Sequence, residues 1–555
     1  MFPPMTWLRT YQAKWLAGDL VAGITLAAYA VPVSLAYAGL AGLPPQVGLY
    51  GYLLGGIGYA LFGSSRHLAV GPTSAISLMV GGTVSQMAGG DAVRYGQIAA
   101  LAGLVVGALC VIAWLLRLST LTSFISETIL LGFKAGAGLS IASTQLSGLL
   151  GVPGGGDDFL ERVWRVCTQL GQVKPVVALV GAGAIALLVL GERLLPGRPV
   201  ALMVVVLSIV AVSSTSLQER GVVTVGTIPG GLPSLSLPGL RVRDVDGILP
   251  LALGCVLLAY VEGVSAARAF ADKHGYRLDA RQELLGLAAA NLAVGFGGGY
   301  PVAGGLSQSA VNEKAGARTP LSLVFASAMI AVCLLFLTGL VANLPKAVLA
   351  AIVLVAVSGL IKLREIIQLR RVSRTEFRVA MVALAAVLLL GILNGILLAA
   401  VASILLLLHR TARPHVAFLG RIPGTQRFSD RARHPDNEPV PGALIFRVES
   451  SLLYFNAEHV ASTVLAGARA EGDGLRLVVC DLSTSPYVDL AGARMLAALH
   501  DELAKHDATL RVAEAHAGVR DLLRACGLEE KVGRVDRLTT VADVIGGTAH
   551  GKGLV

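Results

Sequence analysis

Two places in this chain bring hydroxyl and amide side chains to the opening of a helix directly after a backbone break. Thr73 and Ser74 follow Val70-Gly71-Pro72, and Ser307 and Gln308 follow Val302-Ala303-Gly304-Gly305-Leu306. A helix start carries N–H groups without intrahelical partners and roughly half a positive charge, which together suit an anion. Pro72 is expected at the first helical position, where its missing N–H costs nothing. The Gln308 amide, the Ser307 hydroxyl and the backbone at Leu306 are expected to reach a bound oxyanion. A tyrosine precedes each break at nearly the same spacing: Tyr29 in Ala28-Tyr29-Ala30-Val31-Pro32, and Tyr260 in Ala259-Tyr260-Val261-Glu262-Gly263. Tyr29 and Tyr37 either line the same cavity or simply pack.

Glu262 is the carboxylate with the clearest chemical potential. It sits mid-way along the apolar run Leu257 to Ser265, with no opposite charge beside it in sequence. An acid at that depth is a functional candidate by default, and burial favours its protonated form. It is assigned as a proton-coupling group; the alternative is a structural acid hydrogen-bonded to a hydroxyl such as Ser265. Asp19 and Glu127 lie near the ends of apolar runs and are expected at the interface. Lys134 can snorkel, so a site role is given little weight. No catalytic triad, metal spacing or phosphate loop is present, so an enzyme, a metal and a cofactor are not expected. Six scattered cysteines without a CxxC pair indicate no disulfide framework.

The elements that position these residues must be membrane helices. The chain is 54% hydrophobic and 14% charged, which describes a polytopic membrane protein, and 66 glycines fit closely packed spans. The net charge of +10 sits mostly in loops beside apolar runs, which is the positive-inside pattern and not a nucleic-acid surface. Residues 1–17 carry aromatics and bases but no cleavable signal, and read as an interfacial lead-in. Predicted spans are 18–40, 47–63, 68–87, 95–116, 124–150, 173–191 and 199–215, then 247–268, 283–298, 301–315, 319–342, 345–361, 376–391 and 394–409. The last two are separated at Gly391-Ile392-Leu393-Asn394-Gly395, because one helix from Phe377 to Leu408 would reach about 48 Å, too long for one crossing.

Fourteen spans put both termini on one side. The basic loops after Arg66, Arg193 and Arg198, after Arg268 to Arg281 and after Lys362 to Arg378 make that side cytoplasmic; the Asp157 to Arg165 loop is mixed. Seven spans per copy require the copies to be inverted relative to each other, repeat one over about 18–215 and repeat two over about 247–410. Paired interrupted segments in corresponding places point to a transporter's substrate site. The two breaks are expected to pair their short extended runs, since unpaired backbone at mid-membrane costs several kcal/mol per group.

After the transmembrane region (18–410), residues 411–441 read as a basic, proline-rich linker. Residues 442–555 then read as a soluble α/β domain with strands at 443–448, 475–482 and 509–513 and helices at 457–471 and 491–505, giving a partly parallel sheet.

Several runs resemble the sulfate permease (SulP) family of anion transporters: Gly18-Asp19-Leu20-Val21-Ala22-Gly23-Ile24, Ala36-Tyr37-Ala38-Gly39-Leu40, Phe62-Gly63-Ser64-Ser65-Arg66-His67, Val70-Gly71-Pro72-Thr73 and Ser309-Ala310-Val311-Asn312. The resemblance implies a core domain (spans 1–4 and 8–11) moving against a gate domain (spans 5–7 and 12–14) in an elevator-like cycle. It also implies an anion site between the two half-helices, and a multi-pass inner-membrane protein. The tail looks like the family's STAS domain through Val478-Val479-Cys480-Asp481-Leu482 and Val488-Asp489-Leu490-Ala491-Gly492. Related anti-anti-sigma proteins carry a phosphorylatable serine where Ala491 stands, so packing and dimerisation are favoured over signalling. A homodimer is expected, with cytoplasmic partners of the tail left open. Many eukaryotic relatives place an arginine within Ser307-Gln308-Ser309. Its absence leaves dipoles, N–H groups and proton entry, which favours proton-coupled symport of a small organic dicarboxylate such as fumarate. Alternatives are sulfate or bicarbonate transport, nucleobase:proton symport or an anion channel.

Overall fold

The computed structural model describes residues 6–119, 127–156, 158–195, 199–239 and 242–549. Residues 1–5 of the lead-in, the first residues of the 124–150 span, Asp157 and Arg198 lie outside them. The chain divides into two compact units, residues 1–403 and residues 404–555.

The first unit is helical. Its helices are α1 (Leu16–Leu40), α2 (Pro45–Phe62), α3 (Ser74–Ala88), α4 (Ala92–Leu115), α5 (Glu127–Leu150), α6 (Phe159–Thr168), α7 (Pro175–Leu194) and α8 (Val200–Ser214). There follow α9 (Val242–His274), α10 (Ala280–Phe296), α11 (Leu306–Lys314), α12 (Leu321–Val332), α13 (Thr338–Val341), α14 (Lys346–Ser358), α15 (Leu363–Val372) and α16 (Arg374–Ala412). Seven helices among the described residues are long and apolar enough to cross a membrane. Between α12 and α13 the helix widens into a π stretch, Cys333–Leu337. In α16, Gly391 takes φ 83°, a backbone that breaks the helix where the sequence places a break. Trp7 of the lead-in donates from Nε1 to the Ala60 carbonyl at 2.8 Å, tying that segment to α2.

Two described helices of this first unit were not anticipated. The stretches holding α6 and α15 read as charged loops, yet each folds as a short helix, with Val166 and Ile366 as the buried residues.

The helices form two groups. In one, α1, α2, α4, α10 and α12 pack on one another, with α3, α9 and α11 against them. In the other, α5, α7, α8 and α14 pack together. The α16 backbone comes so close to α5 that a Cβ on Gly132 would stand 2.0 Å from the Ala380 carbonyl oxygen. The groups meet where α1 faces α8 and α14 and where α3 faces α5. Small residues permit these approaches: a Cβ on Gly48 of α2 would meet the Ser34 carbonyl oxygen of α1 at 2.0 Å.

The second unit is a five-stranded sheet in the order β4-β3-β5-β6-β7, built from β3 (Val416–Arg421), β4 (Phe428–Asp430), β5 (Ala443–Val448), β6 (Leu477–Asp481) and β7 (Thr509–Ala513). β5, β6 and β7 run parallel, as the alternation of strands and helices predicts. The stretch read as a linker, 411–441, is corrected here: β3 pairs antiparallel with β5, so it belongs to the domain. Its basic and proline-rich composition masked a strand buried at four of six positions. Helices α17 (Ala457–Glu471) and α18 (Leu490–Ala504) fall where helices are predicted, and Asp489 caps α18 by accepting from Gly492 N–H at 2.8 Å.

Candidate anion site at the strand crossing

The two backbone breaks pair with each other. β1 (Val70–Gly71) runs antiparallel to β2 (Ala303–Gly304), with Val70 opposite Gly304 and Gly71 opposite Ala303. This is the pairing that the cost of bare backbone demands. The helices that restart from it are α3 and α11, whose first N–H groups have no helical partner. Gly71 has no room for a side chain, since a Cβ there would lie 2.5 Å from the Tyr52 ring. Pro72 does not open α3 as expected: Thr73 is the cap residue and Ser74 the first helical one, and the proline ring instead packs over Gly51.

Side chains brace the crossing from every direction. The Gln308 amide nitrogen donates to the Ala69 carbonyl at 3.0 Å and to the Ala303 carbonyl at 3.2 Å, while its oxygen accepts from the Tyr52 hydroxyl. Ser309 Oγ accepts from Ala69 N–H at 2.8 Å and donates to the Gly305 carbonyl at 2.7 Å. Asn291 of α10 holds Val302 on both sides, donating to its carbonyl at 3.1 Å and accepting from its N–H at 2.9 Å. Asn312 donates to the His67 carbonyl at 3.2 Å. The expected role of Gln308 toward an oxyanion is therefore corrected. The residue is 4% exposed and both amide hydrogens are engaged by backbone carbonyls.

The other expected residues fall into two sets. Tyr37, Thr73, Ser74 and Glu262 gather at the start of α3. Thr73 does not cap its own helix, and its hydroxyl oxygen is shut off from solvent without a hydrogen-bond partner among the described residues. Tyr37 of α1 stands beside Ser74 and near Glu262 of α9. Ser265 makes no hydrogen bond to Glu262 among the described contacts. Tyr29 and Ser307 instead line a cavity of about 690 Å³ between α1 and α11 on one side and α7, α8 and α14 on the other, with Glu192, Arg193 and Lys314 also on its wall. Leu306, at the first turn of α11, is exposed. Tyr260, which matches Tyr29 in the sequence repeat, donates its hydroxyl to the Ser119 carbonyl at 2.9 Å and the Ala280 carbonyl at 3.0 Å and takes no part in the site.

Two acids are structural. Asp19 is not interfacial: it is fully buried and accepts from Arg318 N–H, Thr319 N–H and Thr319 Oγ1, fixing the turn before α12. Glu283 of α10, which the sequence did not single out, accepts from Ser64 N–H and Oγ, Ser65 N–H and the Tyr59 hydroxyl. Ser-Ser beside a loop end was the available signal, but its partner lies more than two hundred residues away. No group of three or more potential metal ligands occurs among the described residues.

Comparison with known proteins shows the family and the fold. A profile described as the sulfate permease family covers residues 16–383, and a STAS domain profile covers residues 434–544. The chain is 35% identical over 531 residues to a probable sulfate transporter of Mycobacterium tuberculosis, spanning 96% of this chain and 95% of that one. It is 32% identical over 583 residues to the chloroplastic sulfate transporter 4.1 of Arabidopsis thaliana, spanning 98% and 82%. Among solved structures, murine solute carrier 26 family member A9 in the inward-facing state has a TM-score of 0.89 at 22% identity, covering 98% of this chain and 93% of that one. The transmembrane domain of the cyanobacterial bicarbonate transporter BicA has a TM-score of 0.62 at 23% identity, covering 71% and 98%.

Proposed function

This chain belongs to the sulfate permease family of multi-pass anion transporters, and from that premise we propose that it is a proton-coupled importer of a small divalent oxyanion. The observation that carries the reading is the start of α3, where the Thr73 hydroxyl has no hydrogen-bond partner among the described residues and lies beside Ser74, Tyr37 and free helix N–H groups. A buried hydroxyl left unpaired costs free energy that a bound oxyanion would recover. Substrate contacts come from Thr73, Ser74 and Tyr37 and, from the cavity side, Ser307, Leu306 backbone and Tyr29. Glu262 takes the coupled proton.

Sulfate is the first candidate, because the relatives matched over nearly the whole chain carry that name. A dicarboxylate such as fumarate is the second reading, favoured by the absence of a fixed cation in Ser307-Gln308-Ser309 and by two tyrosines beside the site. The group containing α1–α4 and α9–α12 carries the site, and the group containing α5, α7, α8, α14 and α16 is the frame against which it moves in an elevator cycle. The protein works as a homodimer in the inner membrane, with both termini cytoplasmic.

The test is uptake of radiolabelled sulfate and fumarate into proteoliposomes with and without an inward proton gradient. Accumulation of one of them above equilibrium only with the gradient is expected. Flux of neither, or flux indifferent to the gradient, contradicts the proposal.

A further inference from the structure

The cavity of about 690 Å³ between the two helix groups has a charged mouth. Glu192 and Arg193 from the last turn of α7 and Lys314, the last residue of α11, all line it, and all three are exposed. Ser307, Ala310, Val311 and Lys314 line the same cavity at helical spacing, so one face of α11 runs along it. Seven residues of helix rise about 10 Å, so Lys314 stands well apart from the start of α11 at the crossing. The cavity volume falls within the range of about 300–1,000 Å³ usual for ligand pockets.

The two cations at the mouth are not neutralised. Neither Arg193 nor Lys314 makes a hydrogen bond or an ion pair among the described residues. Glu192 does not pair with Arg193, since adjacent residues of a helix do not face each other. The cations also come from different helix groups. Helix α7 packs with α5, α8 and α14, whereas α11 packs with α1 and α9 in the group that carries the crossing.

We propose that the cavity mouth is a second oxyanion site, in which Arg193 and Lys314 hold one divalent oxyanion between the two helix groups. Arg193 offers a planar fork of N–H donors to two oxygens, and Lys314 a mobile point charge on a flexible stem. Glu192 on the same wall repels the anion and keeps the site weak enough to empty. An anion that bridges the groups holds them in the arrangement with the cavity open, and it must leave before they move past each other. Cargo collected on the mouth side is therefore a brake on its own import. No covalent bond and no proton changes in this step. The braking rests on the elevator cycle proposed above, but the mouth site does not depend on the start of α3 being the transport site.

The experiment is equilibrium binding of radiolabelled sulfate to the purified full chain. Two sulfates per wild-type chain are expected, one held more weakly. Arg193→Gln and Lys314→Gln are each expected to weaken the second sulfate about tenfold and to leave the first as it is. Glu192→Gln is expected to tighten the second sulfate. Arg193→Lys and Lys314→Arg, which keep the charge, are expected to retain it and serve as the check on folding. Sulfate enclosed in proteoliposomes is expected to slow initial uptake several-fold in the wild type, and less in Arg193→Gln and Lys314→Gln, each compared with its own rate without enclosed sulfate. A single sulfate per wild-type chain, or two that both charge-removing variants retain unchanged, overturns the inference and leaves the reading of α3 intact if Thr73→Val weakens binding. If Thr73→Val leaves both sulfates in place while Arg193→Gln loses one, the mouth site stands and the reading of α3 falls. Enclosed sulfate that slows wild type and variants equally, or speeds the wild type, overturns the brake.

Discussion

At the start of α3, the Thr73 hydroxyl has no hydrogen-bond partner among the described residues, and Ser74 stands beside a tyrosine and near a half-buried carboxylate. At the start of α11, Gln308 and Ser309 hold five groups of the crossing between them, four backbone groups and the Tyr52 hydroxyl. The two starts come from matching stretches of sequence and meet at one two-residue strand pair. Their polar side chains divide the work: the second start holds the crossing together, and the first is free to meet a ligand. The proposed site therefore draws on groups that are not already engaged in holding backbone.

Breaking the brace should have the largest effect. Gln308→Ala leaves the Tyr52 hydroxyl buried without its partner and takes the amide away from the Ala69 and Ala303 carbonyls, and a loss of about 2–4 kcal/mol in stability is expected, seen as a lower unfolding temperature in detergent. A Gln308→Ala protein as stable as the wild type but unable to bind oxyanion would reverse the comparison. At the first start the opposite pattern is expected. Thr73→Val keeps shape and removes an unpaired hydroxyl, so stability should change by less than about 1 kcal/mol while oxyanion affinity falls about tenfold. Tyr37→Phe and Ser74→Ala remove two hydroxyls that stand beside each other at the first start. Each should weaken binding several-fold, and the pair together should weaken it by less than the sum of the separate effects, because contacting residues couple.

The smallest effect should come from the tail, where neither start is touched. Burial raises the Asp430 carboxyl, but hydrogen bonds from His415 Nε2 and Ala432 N–H outweigh it and hold Asp430 below its ordinary 3.8. A carboxylate so held contributes stability that is present above pH 3.8 and is lost as pH falls through its lower folded value. His415 is half-exposed, so His415→Ala should cost only about 0.5 kcal/mol at neutral pH, measured on the tail's own unfolding transition, with oxyanion affinity unchanged. A change in affinity here would mean that the tail reaches the site.

The crossing was legible because Gly71-Pro72 and Gly304-Gly305 cannot continue a membrane helix and bare backbone there must find a partner. The break at Gly391 was legible for a similar reason, that Phe377 to Leu408 is too long for one span. What Gln308 does was not legible. An amide at a helix start can donate to a ligand or to a carbonyl, and only the position of Ala69, far away in sequence, decides between them. Asp19 misled in the same way, since its place along α1 says nothing of the Thr319 loop packed over it. The helices α6 and α15 were hidden because a short amphipathic helix in a charged loop lacks the long apolar run that announces a span. Strand β3 was hidden by the basic residues around it.

The most direct test is to locate the anion. Selenate replaces sulfate with a heavier centre of the same shape, and its anomalous scattering marks its position in crystals of the protein. A selenate is expected within hydrogen-bond distance, about 3 Å, of the Thr73 hydroxyl and the first N–H groups of α3. Selenate found only among Arg193 and Lys314 at the cavity wall, with the start of α3 empty, would contradict it.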